Sequence, residues 1–194
     1  MAFANKYPGG TELEISMLFV DVRGSTGLAE RMTAGDFGQL MNRFYKVATD
    51  VLIRTDAIID KFVGDEVIGL YLPIFTGPDH ARPALVAARE LLVATGHTHE
   101  EGPWLPIGIG VHTGPVFVGT VSGSEDSVTD ITALGDNVNV AARLASLAAP
   151  GEALISEIAY AAGGADLGDL ERRQLDLKGR SEPVAARVLR VSAA

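Results

Sequence analysis

A chain of 194 residues, 47% hydrophobic and 21% charged, is the length of one domain and has enough apolar side chains to bury a sizeable core. Its formal net charge of −9 argues against a general nucleic-acid-binding surface, because such a surface needs Lys and Arg to neutralise phosphates. It has no cysteine, which excludes disulfides and thiolate metal sites, and no signal-like apolar core or run of about 18 apolar residues, so a cytoplasmic protein without membrane contact is expected.

Residues 1–14 read as a leader and 15–191 as the domain, with no internal repeat. From Ile15 to Val20 an apolar run long enough for one buried strand ends in Asp21, followed by Val22, Arg23, the turn residue Gly24, and Ser25 and Thr26 suited to open a helix. Asp21 is read equally well as a turn residue. Thr26–Met32 reads as a short helix start. Between Ala34 and Ile53, Phe37, Leu40, Met41, Phe44, Val47, Ala48 and Val51 recur at helical spacing, which predicts a helix with one buried face.

Two β-rich runs then flank Gly64-Asp65, the composition of a hairpin whose tip tolerates positive φ. A solvated turn accounts for the charge at that tip in isolation. Placed beside Asp21, however, Asp65 would complete a divalent-cation site, since Mg²⁺ takes one or two carboxylates and fills its shell with water and phosphate oxygens.

A second helix is predicted over Asp79–Thr95. Ile107–Val121 reads as two strands joined at a Thr113-Gly114-Pro115 turn, with alternate glycines where another backbone or a ligand approaches closely. His112 is read as a structural hydrogen-bonding residue. Residues 124–129 read as a polar loop, Asp130–Leu134 as a short strand, and a helix with Asp136 as N-cap is expected to run to about Leu147; Asn139 and Arg143, four apart, would share one of its faces. A polar outer stripe explains that spacing too. The C-terminal segment reads as strand, short helix, Gly-rich loop, and strands near Arg172–Leu177 and Val184–Val191. This order predicts an α+β domain, a mostly antiparallel sheet covered by helices on one side.

Taken together, Ile15–Thr26, Ile58–Tyr71 and Asp130–Leu144 resemble the catalytic domain of the class III adenylate/guanylate cyclases, in that family's order and over nearly the whole chain, from about Ile15 to about Val191. The resemblance implies a ferredoxin-like βαββαβ core with extra C-terminal elements. It also implies that Asp21, Asp65 and the Val22 carbonyl hold two divalent cations, Mg²⁺ or Mn²⁺, that Gly24, Ser25 and Thr26 offer backbone N–H groups to phosphates, and that Lys178 contacts the terminal phosphates. Asn139 would orient the ribose and Arg143 would stabilise charge on the α-phosphoryl group. Many relatives have a bulky aromatic in place of Ser25, and some carry an arginine in place of Gly108.

Base choice rests on Lys61 and Thr132, a pair that in this family goes with adenine. Lys61 donates only, matching adenine N1, whereas the Thr132 hydroxyl both donates and accepts. The implied partners are ATP and a second copy of the chain, in a head-to-tail homodimer whose subunits share each active site. The competing readings are a guanylate cyclase and a catalytically silent module that binds nucleotide or dimerises. A diguanylate cyclase or polymerase-like enzyme would need an acidic turn with two adjacent glycines, which Val63-Gly64-Asp65-Glu66 does not supply.

Overall fold

The apolar run beginning near Ile15 forms β1 (Thr11–Val22), the strand on which the rest of the fold is assembled. The computed structural model describes residues 7, 9–122, 129–178, 180 and 182–192. Six consecutive residues, Ile15 to Val20, are buried in β1, the mark of a strand covered on both faces. Leu18, Val20 and Val22 pack into one cluster with Phe44, Val51, Leu85 and Leu92. Ile15, Met17 and Phe19 point the other way, into a second cluster with Ala141 and Ala145.

After β1 come α1 (Ser25–Arg31) and α2 (Ala34–Arg54), whose first turn is capped by the Thr33 hydroxyl accepting from the Asp36 N–H at 3.1 Å. The hairpin of β2 (Ile58–Val63) and β3 (Glu66–Tyr71) follows as predicted. A single turn, α3 (Pro73–Thr76), leads to α4 (Ala81–Ala94) and β4 (Ile107–Ser122). Beyond these lie β5 (Thr129–Leu134), α5 (Asp136–Leu147), β6 (Ala153–Ser156), α6 (Glu157–Gly163), a 3₁₀ turn (Ala165–Leu167), β7 (Glu171–Leu175) and β8 (Val184–Leu189).

The strands form one sheet in the order β2-β3-β1-β4-β6-β8-β7, with β5 paired to β4. All pairings are antiparallel except β4 with β6. The segment β1-α2-β2-β3-α4-β4 is the expected ferredoxin-like core, and β5 to β8 are the additions.

Three local expectations need correction. Residues 107–122 make one continuous strand rather than a hairpin, in register with the whole of β1 from Thr11↔Val118 to Val22↔Ile107. On its other edge β4 meets β6 at residues 109–111 and β5 at 117–122, so Pro115 sits in the interval between them. A proline there deprives no ladder of an N–H donor, and the strand runs straight through.

The helices also occupy both faces. Core helices α2 and α4 cover one side, while α5 seals the other through Ala141 and Ala145. Finally, Asp136 is the first residue of α5 rather than its cap; Gly135 precedes the helix without a side-chain bond, and Asp136 pairs with Arg180 at 3.0 Å. The loop predicted at 124–129 falls almost wholly outside the described residues.

Candidate active site

Antiparallel pairing of β1 with β3 sets the tip of one element beside the end of another. The register ends at Asp21↔Glu66, and the Val22 N–H donates to the Asp65 carbonyl at 3.1 Å, so the two predicted carboxylates share one corner of the sheet. Gly64, at φ 60°, makes the turn that brings Asp65 there. The Ser25 hydroxyl at the start of α1 donates to Asp65 Oδ2, and Gly24, at φ 70°, bends the chain into that helix. The Tyr45 hydroxyl on α2 donates to the Gly64 carbonyl and holds the hairpin tip from the far side. Tyr45, Ser25, Thr26 and Asp65 line a cleft of about 610 Å³ between α1, α2 and the tip.

Charge is concentrated here. Burial pushes the Asp21 carboxyl up, the neighbouring Arg23 draws it down, and Asp65 adds a further upward push. Burial also raises Glu66, reinforced by Asp21 and Asp65. Arg23 is the nearby counter-charge, 2.6 Å from Asp21, and its guanidinium donates to the Ser146 carbonyl at the end of α5 at 3.0 Å. Gly108 leaves room for it, since a Cβ there would come 3.2 Å from Arg23 Nε. Among the described residues no three His, Cys, Asp or Glu side chains are grouped to hold a metal. Two carboxylates with a backbone carbonyl nearby are instead the sparse all-oxygen set suited to Mg²⁺, which keeps several ligand positions for water and phosphate.

The second half of the predicted site rides on α5. The glycines of β4 are its seat: a Cβ on Gly110 would run into the Ala141 carbonyl and the Ala145 N–H, and one on Gly114 would lie 2.8 Å from Asn137 Cγ. The inward residues are thus Asn137, Ala141 and Ala145. At about 100° per residue, Asn139 and Arg143 emerge on the opposite face of the helix. Asn139 is exposed and Arg143 half-buried. The fold therefore joins Asp21, Val22, Asp65, Gly24, Ser25 and Thr26, and turns Asn139 and Arg143 away from the strand on which α5 rests.

Lys61, on β2, pairs with Ile68 of β3, and its side chain lies outside what the structure describes. Thr132, buried on β5, faces Asp60 of β2. Lys178 is exposed in the turn between β7 and β8. His112 is buried in β4, and its Nε2 donates to Asn137 Oδ1 at 2.9 Å, the structural role predicted for it.

Sequence reasoning passed over Asn137 and Tyr45. Asn137 Nδ2 also donates to the Pro115 carbonyl at 2.7 Å, which pins α5 to the unpaired interval of β4. The signal was available as a polar residue one step into a helix opposite a glycine strand, but its partner lies more than twenty residues upstream.

The profile of the Adenylate and Guanylate cyclase catalytic domain matches residues 10–188. The chain belongs to this family. As a nucleotide cyclase domain it is 26% identical to a guanylyl cyclase of known crystal structure, over 93% of each chain, with a TM-score of 0.81. It is likewise 28% identical to the adenylyl cyclase CyaB from P. aeruginosa, over 94% of this chain and 96% of that one, with a TM-score of 0.78. An uncharacterized Mycobacterium tuberculosis protein shares 32% identity over 182 residues, 91% of this cyclase domain but 32% of the relative. The chain thus spans about a third of the length of that curated relative. Its structural neighbours include both adenylyl and guanylyl cyclases, so likeness to them leaves the base open. No helix among the described residues is long and apolar enough to cross a membrane.

Proposed function

We propose that the chain is an adenylate cyclase, with residues 15–191 as its catalytic unit, converting ATP to 3′,5′-cyclic AMP and pyrophosphate. The observation that carries this reading is the junction of Asp21 and Asp65 at the head of α1, with Asn139 and Arg143 displayed on the outer face of α5. The ribose 3′-hydroxyl gives its proton to solvent, its oxygen forms a bond to the α-phosphorus, and the bond from that phosphorus to the α,β-bridging oxygen breaks as pyrophosphate leaves with the electron pair. The nucleophile belongs to the substrate, so the protein's tasks are alignment and charge stabilisation.

Asp21, Asp65 and the Val22 carbonyl are the donors for two divalent cations, Mg²⁺ or Mn²⁺. Such cations, when bound, supply Lewis acidity toward the hydroxyl and the triphosphate. The backbone N–H groups of Gly24, Ser25 and Thr26 receive phosphate oxygens, and Lys178 meets the terminal phosphates. Asn139 orients the ribose, while Arg143 meets the charge that grows on the α-phosphoryl group. Lys61 and Thr132 select adenine, the lysine by donating to N1.

Because Asn139 and Arg143 point away from β4, the reading requires a second copy to present them to the carboxylates, in a head-to-tail homodimer with two equivalent sites. Exposed apolar residues support association. Phe117 and Leu134, in register across β4 and β5, are 44% and 57% exposed.

The test is a chromatographic assay of the purified chain with ATP or GTP, each with Mg²⁺ and with Mn²⁺. Cyclic AMP formed preferentially from ATP, and abolished by Asp65→Ala, is the expected result. Cyclic GMP as the main product would overturn the base assignment. Absence of both products from a chain that light scattering shows to be dimeric would favour a silent module. An Asp65→Ala chain mixed with an Arg143→Ala chain should regain activity through one intact site per heterodimer; no recovery would count against shared sites.

A further inference from the structure

Thr132 is ambiguous as a base reader, because a hydroxyl satisfies adenine by accepting from its exocyclic amine and satisfies guanine by donating to its carbonyl. Which it does depends on where its single proton goes. The structure supplies a claimant. Thr132 Oγ1 donates to Asp60 Oδ2 at 3.5 Å, a bond between β5 and β2, which touch at this point. Thr132 is only 6% exposed, so its proton is oriented by the protein rather than by bulk water.

Asp60 reaches Thr132 through a defect in its strand. Along β2 the register with β3 runs Ile58↔Leu70 and Ile59↔Gly69, then jumps to Lys61↔Ile68, so that Asp60 is the inserted residue of a bulge. A bulge of this kind breaks the alternation of side chains and re-aims the one it carries. Asp60 is half-buried, immediately before the residue proposed to read adenine N1. An ionised carboxylate has only lone pairs to offer, so toward Thr132 it acts solely as acceptor.

We infer that Asp60 is a positioning residue for base selection: by taking the Thr132 proton it leaves the Thr132 oxygen as an acceptor only, which fits the 6-amino group of adenine and opposes the 6-carbonyl of guanine. This rests on the adenylate reading of Lys61 and Thr132. At 3.5 Å the Thr132–Asp60 contact is long for an O–H···O bond, and base selection by this route requires it to shorten when substrate binds. Asp60→Asn reverses the logic at nearly constant shape. The new amide donates to the Thr132 oxygen and frees its proton for a guanine carbonyl.

The experiment measures kcat/KM for ATP and for GTP on the same preparations of wild type, Asp60→Asn, Thr132→Val and the double variant. Because each ratio is taken on one sample, loss of folded protein cancels. Asp60→Asn should lower the ATP/GTP ratio about tenfold, the size of one well-formed hydrogen bond in specificity. In the Thr132→Val background the same change should leave the ratio unmoved, since the group through which Asp60 acts is gone. A wild type that does not prefer ATP overturns the base reading, and this inference with it. A wild type that prefers ATP overturns the inference alone if Asp60→Asn keeps the ratio, or if it shifts the ratio equally with and without the Thr132 hydroxyl.

Discussion

Gly110 lies directly beneath Ala141. A Cβ at Gly110 would occupy the space of the Ala141 carbonyl and the Ala145 N–H, so the backbone of α5 rests on β4 with no side chain between them. Neither backbone can step aside without moving the helix that carries Asn139 and Arg143. Gly110→Ala should therefore destabilise the fold by about 1–3 kcal/mol, the usual cost of overpacking a filled core. Gly38 has the opposite setting, within α2 and with nothing inside 4 Å of an added Cβ. Gly38→Ala should stabilise by about 0.4–1 kcal/mol, because the unfolded chain loses freedom. Denaturant unfolding of both variants checks the pair; a stabilised Gly110→Ala would refute the close seating of α5.

Asn137 holds the start of the same helix through its bonds to His112 and to the Pro115 carbonyl. Asn137→Ala removes both and leaves two partners poorly solvated, a loss of about 1–3 kcal/mol. Activity should fall by more than the loss of folded protein explains, since α5 carries both Asn139 and Arg143. Single-turnover rates on the folded fraction would reveal this, and rates equal to wild type would reduce Asn137 to a stabilising residue.

Tyr45 acts on the other half of the site. Its hydroxyl holds the Gly64 carbonyl, and the adjoining residue is Asp65. Tyr45→Phe keeps the ring, which meets Phe62 edge-on with centroids 5.2 Å apart, and removes only the bond. The stability cost should be about 1 kcal/mol. A looser hairpin tip should weaken Mn²⁺ binding, measured by paramagnetic resonance on the folded protein; unchanged Mn²⁺ affinity would show that Asp65 needs no such support.

Glu152 gives a prediction in pH. It is buried, and its carboxylate accepts from Arg173 at 2.9 and 3.0 Å, from the Ala149 N–H at 3.1 Å and from Arg190 at 2.5 Å. The Arg173 bonds chiefly, against the opposing effect of burial and helped by Ala149 and Arg190, pull its pKa from 4.5 down to about 2. A depressed folded pKa stabilises the protein above the unfolded value and ceases to do so as pH falls through the folded one. Glu152→Gln should cost up to about 3 kcal/mol at pH 7, and the gap to wild type should close between pH 4.5 and 2. Unfolding curves across that range test it; a gap independent of pH would mean the ion pairs contribute no net stability.

The strands and helices of the core were legible because their signals are local. The period of Phe37, Met41, Phe44 and Ala48 is written within α2, and Gly64 announces the turn by its own freedom of φ. The carboxylates Asp21 and Asp65 were also visible as strand-end residues out of keeping with their apolar surroundings. Whether Thr113-Gly114-Pro115 would turn was not legible, because a proline interrupts a strand only where its missing N–H is needed. That need is decided by where β5 and β6 end on the far edge of β4.

The sequence by itself determined which segments bury an apolar face and which residues carry charge at their ends, since hydrophobic period and turn chemistry act over a few residues. Tertiary structure alone decided that Asp21 and Asp65 meet, that α5 takes the face opposite α2 and α4, and that Asp60 turns to Thr132. Each of these depends on register and close contact between segments far apart in the chain, set by the packing of whole elements against one another.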